Sequence, residues 1–301
     1  MRRVFLTVCL SVLVVTSGSL VFAFNQPGLN LSLTSLLDGG PIPKGVYLLD
    51  YVQFATSNRA VDKDGHTIPG APRVSVLLNI HQLVCVSPVK ILGGHLGLDL
   101  SFPIVAGAGR GNLGAIPVTG NTGGLGDFAF GPFIQWNDST LLGRPLFHRF
   151  EFGTTLPTGK FDPAYSVNPG FNILTMEAFY AFTWMFAEPW ETSWRIHYGL
   201  HGENDRTNIK PGQVFHFNYT LSRAVHPKLR LGVSGYLLQQ ATEDRVSGVK
   251  ATNSRERAFA LGPALAYMGK GVFVILSHPA DLDARNRFRY SRTTLQFIHR
   301  F

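Results

Sequence analysis

From Gly45 to its end the chain alternates. Runs of about ten residues set apolar and polar side chains two apart, and a strand sends successive side chains to opposite faces. In Ile173–Ala187, Met176, Ala178, Tyr180, Phe182, Trp184 and Phe186 share one side, while Thr175, Glu177 and Thr183 share the other. In Thr192–Glu203, Trp194, Ile196, Tyr198 and Leu200 oppose Arg195, His197, Gly199 and His201. About twelve such runs can be marked, opening with Val46–Ala55 and Arg73–Val84 and closing with Gly271–His278 and Phe288–Phe301. An apolar wall of this extent, rimmed with aromatic residues, is costly to leave in water. Against lipid the cost disappears.

The connections sort in the same sense. Those after the odd-numbered runs are long and polar, as in Thr56–Pro72, Gly107–Gly123 and Ala241–Glu256. Those after the even-numbered runs are short, as in Glu188-Pro189-Trp190, Val225–Lys228 and Gly269-Lys270. Long loops at one end and short turns at the other are the pattern of a bacterial outer-membrane barrel, and an even strand count leaves both termini in the periplasm. Beyond the first two dozen residues no apolar run reaches the ~18 residues of a spanning helix, so any membrane span is made of strands. Charged residues are 15% of the chain, against roughly 25% in an ordinary soluble domain. The expected fold is all-β: a transmembrane antiparallel up-and-down barrel of about 12 strands.

Residues 1–23 have the form of a cleaved secretory signal, with Arg2 and Arg3 before an apolar stretch from Val4 to Val15 and Val21-Phe22-Ala23 as the cleavage site. Its removal takes Cys9 with it and leaves Cys85 as the single cysteine, so no internal disulfide is expected. Loss of Arg2 and Arg3 lowers the formal charge from +8 to +6. The remaining basic residues do not cluster with aromatics, so nucleic acid is not an expected partner. Residues 24–44 end in G-G-P-I-P-K and suit a periplasmic lead segment or a partial plug. The division taken is 1–23 signal peptide, 24–44 periplasmic lead and 45–301 barrel.

With the apolar sides turned to lipid, the opposite sides line a lumen. They place Asp50, Asn79, His81, His95, Asp99, Asp127 and Gln135 inside, followed by Arg149, Glu151, Glu177, Arg195, His197, His216, Asn218 and Arg230. Arg292, Gln296 and Arg300 follow on the final strand. Acidic residues dominate the early strands and arginines the later ones, so closure brings opposite charges together. Two readings stay open: a polar translocation path, or a salt-bridged interior that fills a narrow barrel.

Other chemistry finds less support. A lipid-modifying enzyme would need a Ser–His pair with an orienting group, on the lipid side near the outer leaflet. The histidines mostly face inward and no serine has an evident nucleophile setting, so no enzyme is expected. Among His81, His95, His197 and His201, only the last two share a face at two pleats, which is too little for a metal-ligand set. No metal and no cofactor are expected. The Gly-rich stretch Gly120–Gly126 opens a strand rather than a helix and reads as a turn.

Several short motifs in order resemble the family of outer-membrane proteins named for the meta-pathway of phenol degradation. Pro43-Lys44-Gly45-Val46-Tyr47 resembles its entry into the first strand, and Gly124-Leu125-Gly126-Asp127 its Gly-Leu-Gly-Asp, with Pro132 and Trp136 in register. Leu156-Pro157-Thr158-Gly159-Lys160-Phe161-Asp162 is similar to its Pro-Thr-Gly loop, with Phe161 where the family has Tyr, and Asn168 and Asn172 follow. Gly212, His216, Gly232, Tyr236, Gln240 and Asp244, then Leu261-Gly262-Pro263 and Asn286-Arg287, extend the likeness along the mature chain. The resemblance implies a transporter of small hydrophobic or aromatic compounds in the bacterial outer membrane, linked to uptake rather than to a degrading activity. It adds Gln240 to the residues expected along the path. Gly126 and Gly159 suit tight turns or close contact, and Asp127 and Asp162 suit loop caps or the pore mouth.

The last run ends on Phe301, with Leu295 and Phe297 on the same side. Termini of soluble domains fray into water, whereas a terminal ring closing a barrel sits in the aromatic girdle at the interface. This strand is the expected signal to the barrel-assembly machinery. Deleting Phe301 is expected to lower the amount of assembled barrel, read as the heat-modifiable band on gels; unchanged assembly would count against the closing role.

Overall fold

Each of the marked runs forms a strand. The computed structural model describes residues 26–113, 116–269 and 272–301; the signal segment 1–23 lies outside the described residues. The wall is β1 (Gly45–Ser57), β2 (Val74–Ile91), β3 (Gly94–Leu113), β4 (Ala129–Leu141), β5 (Arg144–Thr155) and β6 (Thr175–Ala187). It continues with β7 (Trp190–His201), β8 (Val214–His226), β9 (Leu229–Gln240), β10 (Arg257–Met268), β11 and β12 (Ser291–Arg300). β11 comes in two pieces, Phe273–Ser277 and Ala280–Arg285. Every strand pairs antiparallel with the next, and β12 returns to β1 from Tyr47↔Arg300 to Thr56↔Ser291. The sheet is closed, so no edge meets lipid.

The outer face is apolar. Phe102, Phe150, Phe152, Tyr198, Leu200 and Phe297 are exposed on it, which only a lipid surround makes inexpensive. Near the short turns the indole N–H groups of Trp136 and Trp184 donate to the Leu92 and Leu141 carbonyls, at 2.9 and 3.2 Å. These rings, apolar in body and polar at one tip, form an interfacial girdle. With this wall, the protein resides in the bacterial outer membrane.

Differences from the sequence reading have local causes. β2 and β4 run past Val84 and Asn137 to two-residue turns, Leu92-Gly93 and Leu142-Gly143, whose four φ angles are all positive, between 51 and 80°. That is the hairpin geometry matched to strand twist. Lys90, Asp138 and Arg144 break the alternation there, at a rim that water reaches. β3 continues to Leu113 through a glycine-rich stretch with no alternation to read. β11 breaks at Pro279, which has no N–H to give the ladder; its carbonyl accepts the Arg292 N–H at 2.9 Å.

A periplasmic lead and a plug differ in their neighbours, and the neighbours of residues 26–44 are the inner wall. Leu31 is buried among Val214, Tyr236, Leu238, Ala258 and Ala260. Leu33 and Ile42 pack on Tyr47, Tyr51 and Phe133, and Leu36 on Ala264, Ala266 and Ile275. The segment's backbone is hydrogen-bonded by lumen side chains: Asn218 accepts from Ser32 N–H at 3.0 Å, Gln53 donates to Leu31 O at 3.1 Å, and Thr294 donates to Ser32 O at 2.7 Å. Asn137 both accepts from and donates to Ile42. Burial without such partners would cost roughly 1–3 kcal/mol per group. The described part of this segment is a plug.

Inner-wall packing is tight enough to test. A Cβ on Gly97 would lie 2.1 Å from the Phe133 ring, and that ring carries the Arg149 guanidinium at 3.8 Å. Gly97→Val is expected to displace both and cost about 1–3 kcal/mol, seen as a lower temperature for loss of the folded gel band.

Candidate functional site in the lumen

The inner wall around the plug is made of two unlike halves. On β4 to β8 the polar side faces inward, as the alternation predicts. Arg149 donates to Gln135 Oε1 at 3.1 Å and pairs with Glu151 at 3.5 Å, both buried. Beside them, Asp99 on β3 accepts from Gln82 on β2. Glu177 bridges two imidazoles, His197 Nδ1 at 2.6 Å and His216 Nε2 at 3.2 Å. Arg195 is held by both oxygens of Asp38 on the plug, at 2.6 and 2.7 Å, with its guanidinium 4.4 Å over the Phe179 ring.

Toward the short turns Arg230 donates to Ser222 and to the Pro189 carbonyl, and Glu191 accepts from Ser193 and Ser222. His95 also lies at this end, with Nδ1 at 3.0 Å from the Ser87 carbonyl. At the other end Gln240 joins Gln26 of the plug to Asp244 and the Glu256 N–H.

On β1 and β2 the phase is reversed. Asp50 and His81 pair with each other at 2.5 Å on the outer face, in line with exposed Val52 and Phe54. Asn79 turns outward too, its amide donating to the Tyr51 carbonyl at 3.0 Å. The inner row is instead Tyr51, Gln53 and Ala55 on β1, with Val76, Leu78 and Ile80 on β2. The expected inward placement of Asp50 and His81 is therefore corrected. The physical reason is local packing: Tyr51 and Ile80 share a cluster with Leu33 and Ile42 of the plug, and Val76 packs with Val74 and Val167, so polarity no longer marks the lumen there.

Between these halves lies a cavity of about 430 Å³. Val76, Leu78 and Ile80 line it together with Asp99, Glu151, Glu177 and Arg195, and Leu29, Leu33 and Thr34 of the plug complete the lining.

Two motif loops close the far end. Asp127 accepts from Gly159 N–H at 2.8 Å and Phe171 N–H at 2.7 Å, one bond to each carboxylate oxygen. Burial raises its carboxyl above the ordinary range, against the pull of these N–H groups. A Cβ on Gly159 would meet the Gly126 carbonyl carbon at 2.6 Å, and Lys160 N–H donates to Leu125 O at 2.9 Å. The Gly-Leu-Gly-Asp and Pro-Thr-Gly stretches are thus one interlocked knot. Nearby, burial pushes the Glu256 carboxyl up to about 8, opposed by Arg287 at 3.3 Å.

The sequence missed two outward Ser–His contacts. Ser291 lies 3.2 Å from His278 Nε2, whose Nδ1 meets the Thr293 hydroxyl at 2.8 Å. Ser139 lies 2.9 Å from His148 Nε2, whose Nδ1 is buried without a partner among the described residues. Neither imidazole is oriented by a carboxylate, the third member of a triad.

A closed twelve-stranded wall around a partly filled lumen has the fold of an outer-membrane channel. The chain belongs to the family described as "Putative MetA-pathway of phenol degradation", whose model matches residues 57–297. The structure is similar to that of an outer-membrane channel from Pseudomonas putida F1, at 16% identity over 89% of this chain and 100% of that one, with a TM-score of 0.75. A weaker likeness is to the translocator domain of the autotransporter NalP from Neisseria meningitidis: 8% identity, 87% and 90% coverage, TM-score 0.48. At these identities the likeness is one of fold. No curated protein matches the chain by sequence.

Asp127→Ala is expected to leave two part-buried N–H groups without their acceptor, at up to roughly 1–3 kcal/mol each. Trypsin should then cut after Lys160 faster while the barrel still assembles. Asp127→Asn, which keeps one acceptor oxygen, should fall between.

Proposed function

We propose that the protein is an outer-membrane channel for passive uptake of small hydrophobic or aromatic compounds, with residues 26–44 as its gate. The observation that carries this reading is the cavity, which offers an apolar row on β1–β2 and a charged row on β3–β7 to one solute. A flat aromatic molecule can lie along Val76, Leu78 and Ile80 while its polar group meets Arg195 or Glu151. Membership in a family named for phenol degradation supports a solute of this class, as does the channel fold. The rings under Arg149 and Arg195 support it as well, since each offers a stacking face beside a charge.

The reading is of a pore without enzymatic activity. The Ser–His contacts on the outer wall have no carboxylate to hold the imidazole, which disfavours hydrolysis of membrane lipid. Export through cleavage after Ala23, and assembly through recognition of Leu295, Phe297 and Phe301, complete the proposal.

The gate rests on the Asp38–Arg195 pair, which a lipid-bilayer recording can test. Asp38→Ala leaves a buried guanidinium without its main partner and should loosen the plug. Single-channel conductance should rise severalfold over the wild type, and a phenol-like solute should block it. A silent, correctly folded Asp38→Ala barrel would overturn the gating role.

A further inference from the structure

The Glu177, His197 and His216 cluster is more than a hydrogen-bonded triad. The three residues come from adjacent strands: Glu177 faces Gly199 across β6–β7, and His197 faces His216 across β7–β8. Gly199 has no side chain, and the Glu177 Oε2 atom lies 3.7 Å from where its Cβ would be. The carboxylate therefore reaches one edge nitrogen of each of the two rings, which stack on each other at 4.2 Å between centroids. One carboxylate oxygen and one nitrogen of each ring all fall within 4.8 Å of one another. Ligands about 2.1 Å from a tetrahedral Zn²⁺ sit about 3.4 Å apart, so small side-chain movements place an ion among all three.

We propose that Glu177, His197 and His216 form a binding site for a late first-row divalent cation on the inner wall of β6–β8. Two imidazoles and a carboxylate are the donor set that suits Zn²⁺ and its neighbours, while Mg²⁺ and Ca²⁺ prefer oxygen alone. The second observation is at the far side of the rings. His197 Nε2 and His216 Nδ1 are buried and have no hydrogen-bond partner among the described residues. Without metal the Glu177 carboxylate holds each ring proton on the inner nitrogen; nothing among the described residues occupies the outer nitrogens, so the protons can move there when a cation takes the inner ones. Access comes from the lumen: Glu177 and His197 line the cavity, and the Glu177 side chain is 20% exposed. A fourth position remains for water or a solute atom from that side.

Among the described residues one other group has ligand spacing, Asp62, Asp64 and His66 in the long β1–β2 loop, and it serves as the control. Untagged, refolded full-length protein is freed of metal, and Co²⁺ is added while its visible absorption is followed. The expected result is one equivalent bound with tetrahedral bands, displaced by Zn²⁺. Glu177→Gln and His216→Gln should each weaken Zn²⁺ binding at least about tenfold, while Asp62→Asn with His66→Ala leaves it unchanged. X-ray absorption of the Zn²⁺-loaded wild type should show two imidazoles, a readout that needs no variant to fold. No saturable binding by the wild type, or binding lost only in the loop variant, would overturn the site. Conductance of the metal-free barrel is a separate measurement, so the channel reading and this site can fail independently.

Discussion

In hydrocarbon no water is present to take up a backbone N–H or C=O, and every other feature of this barrel follows from that constraint. The wall must pair with itself all the way round, and the ten-residue seam from Tyr47↔Arg300 to Thr56↔Ser291 completes the circuit. Closure at twelve strands then sets the diameter. The resulting lumen is wide enough for one extended segment beside a cavity, and too narrow to be left as an open aqueous tube of porin size.

The plug imports the same constraint to the inside. Residues 26–44 form no strand with the wall, so their polar backbone groups must find side chains. That requirement accounts for the inner amides and hydroxyls: Asn137, Asn218, Gln53 and Thr294 each meet the segment's main chain. Its leucines impose the opposite requirement on the wall, and small or apolar residues such as Ala258, Ala260, Ala264 and Ala266 face them. The inner surface is thus complementary to a particular peptide as much as to water.

This explains which parts of the architecture were legible. On β6 and β7 both faces meet what the alternation assumes, lipid on one side and buried charge on the other, and Glu177, Arg195 and His197 can be assigned inward from spacing alone. On β1 and β2 the inner side meets apolar plug residues, and the outer side carries Asp50 and His81 in mutual contact. Hydrophobicity there reports packing against the segment rather than direction. Spacing along one strand also cannot reveal Glu177 beside His216, because their meeting depends on the register of β6, β7 and β8. The glycine motifs were readable as close contacts, but their partners were not: Gly126 and Gly159 meet each other across two loops.

Filling and transport need not exclude one another. The ion pair of Arg149 with Glu151 lies wholly within the wall and remains wherever the plug goes. The pair of Arg195 with Asp38 crosses from wall to plug, so the proposed gating breaks it. Breaking a buried pair is costly when a charge is left bare, yet Arg195 keeps the Phe179 ring beneath it at 4.4 Å and has the cavity beside it. The cost of the proposed opening is thereby reduced on the wall side. A lumen built this way ties its plug to the wall by one ion pair among many hydrogen bonds and apolar contacts, and the Arg149–Glu151 pair does not depend on it.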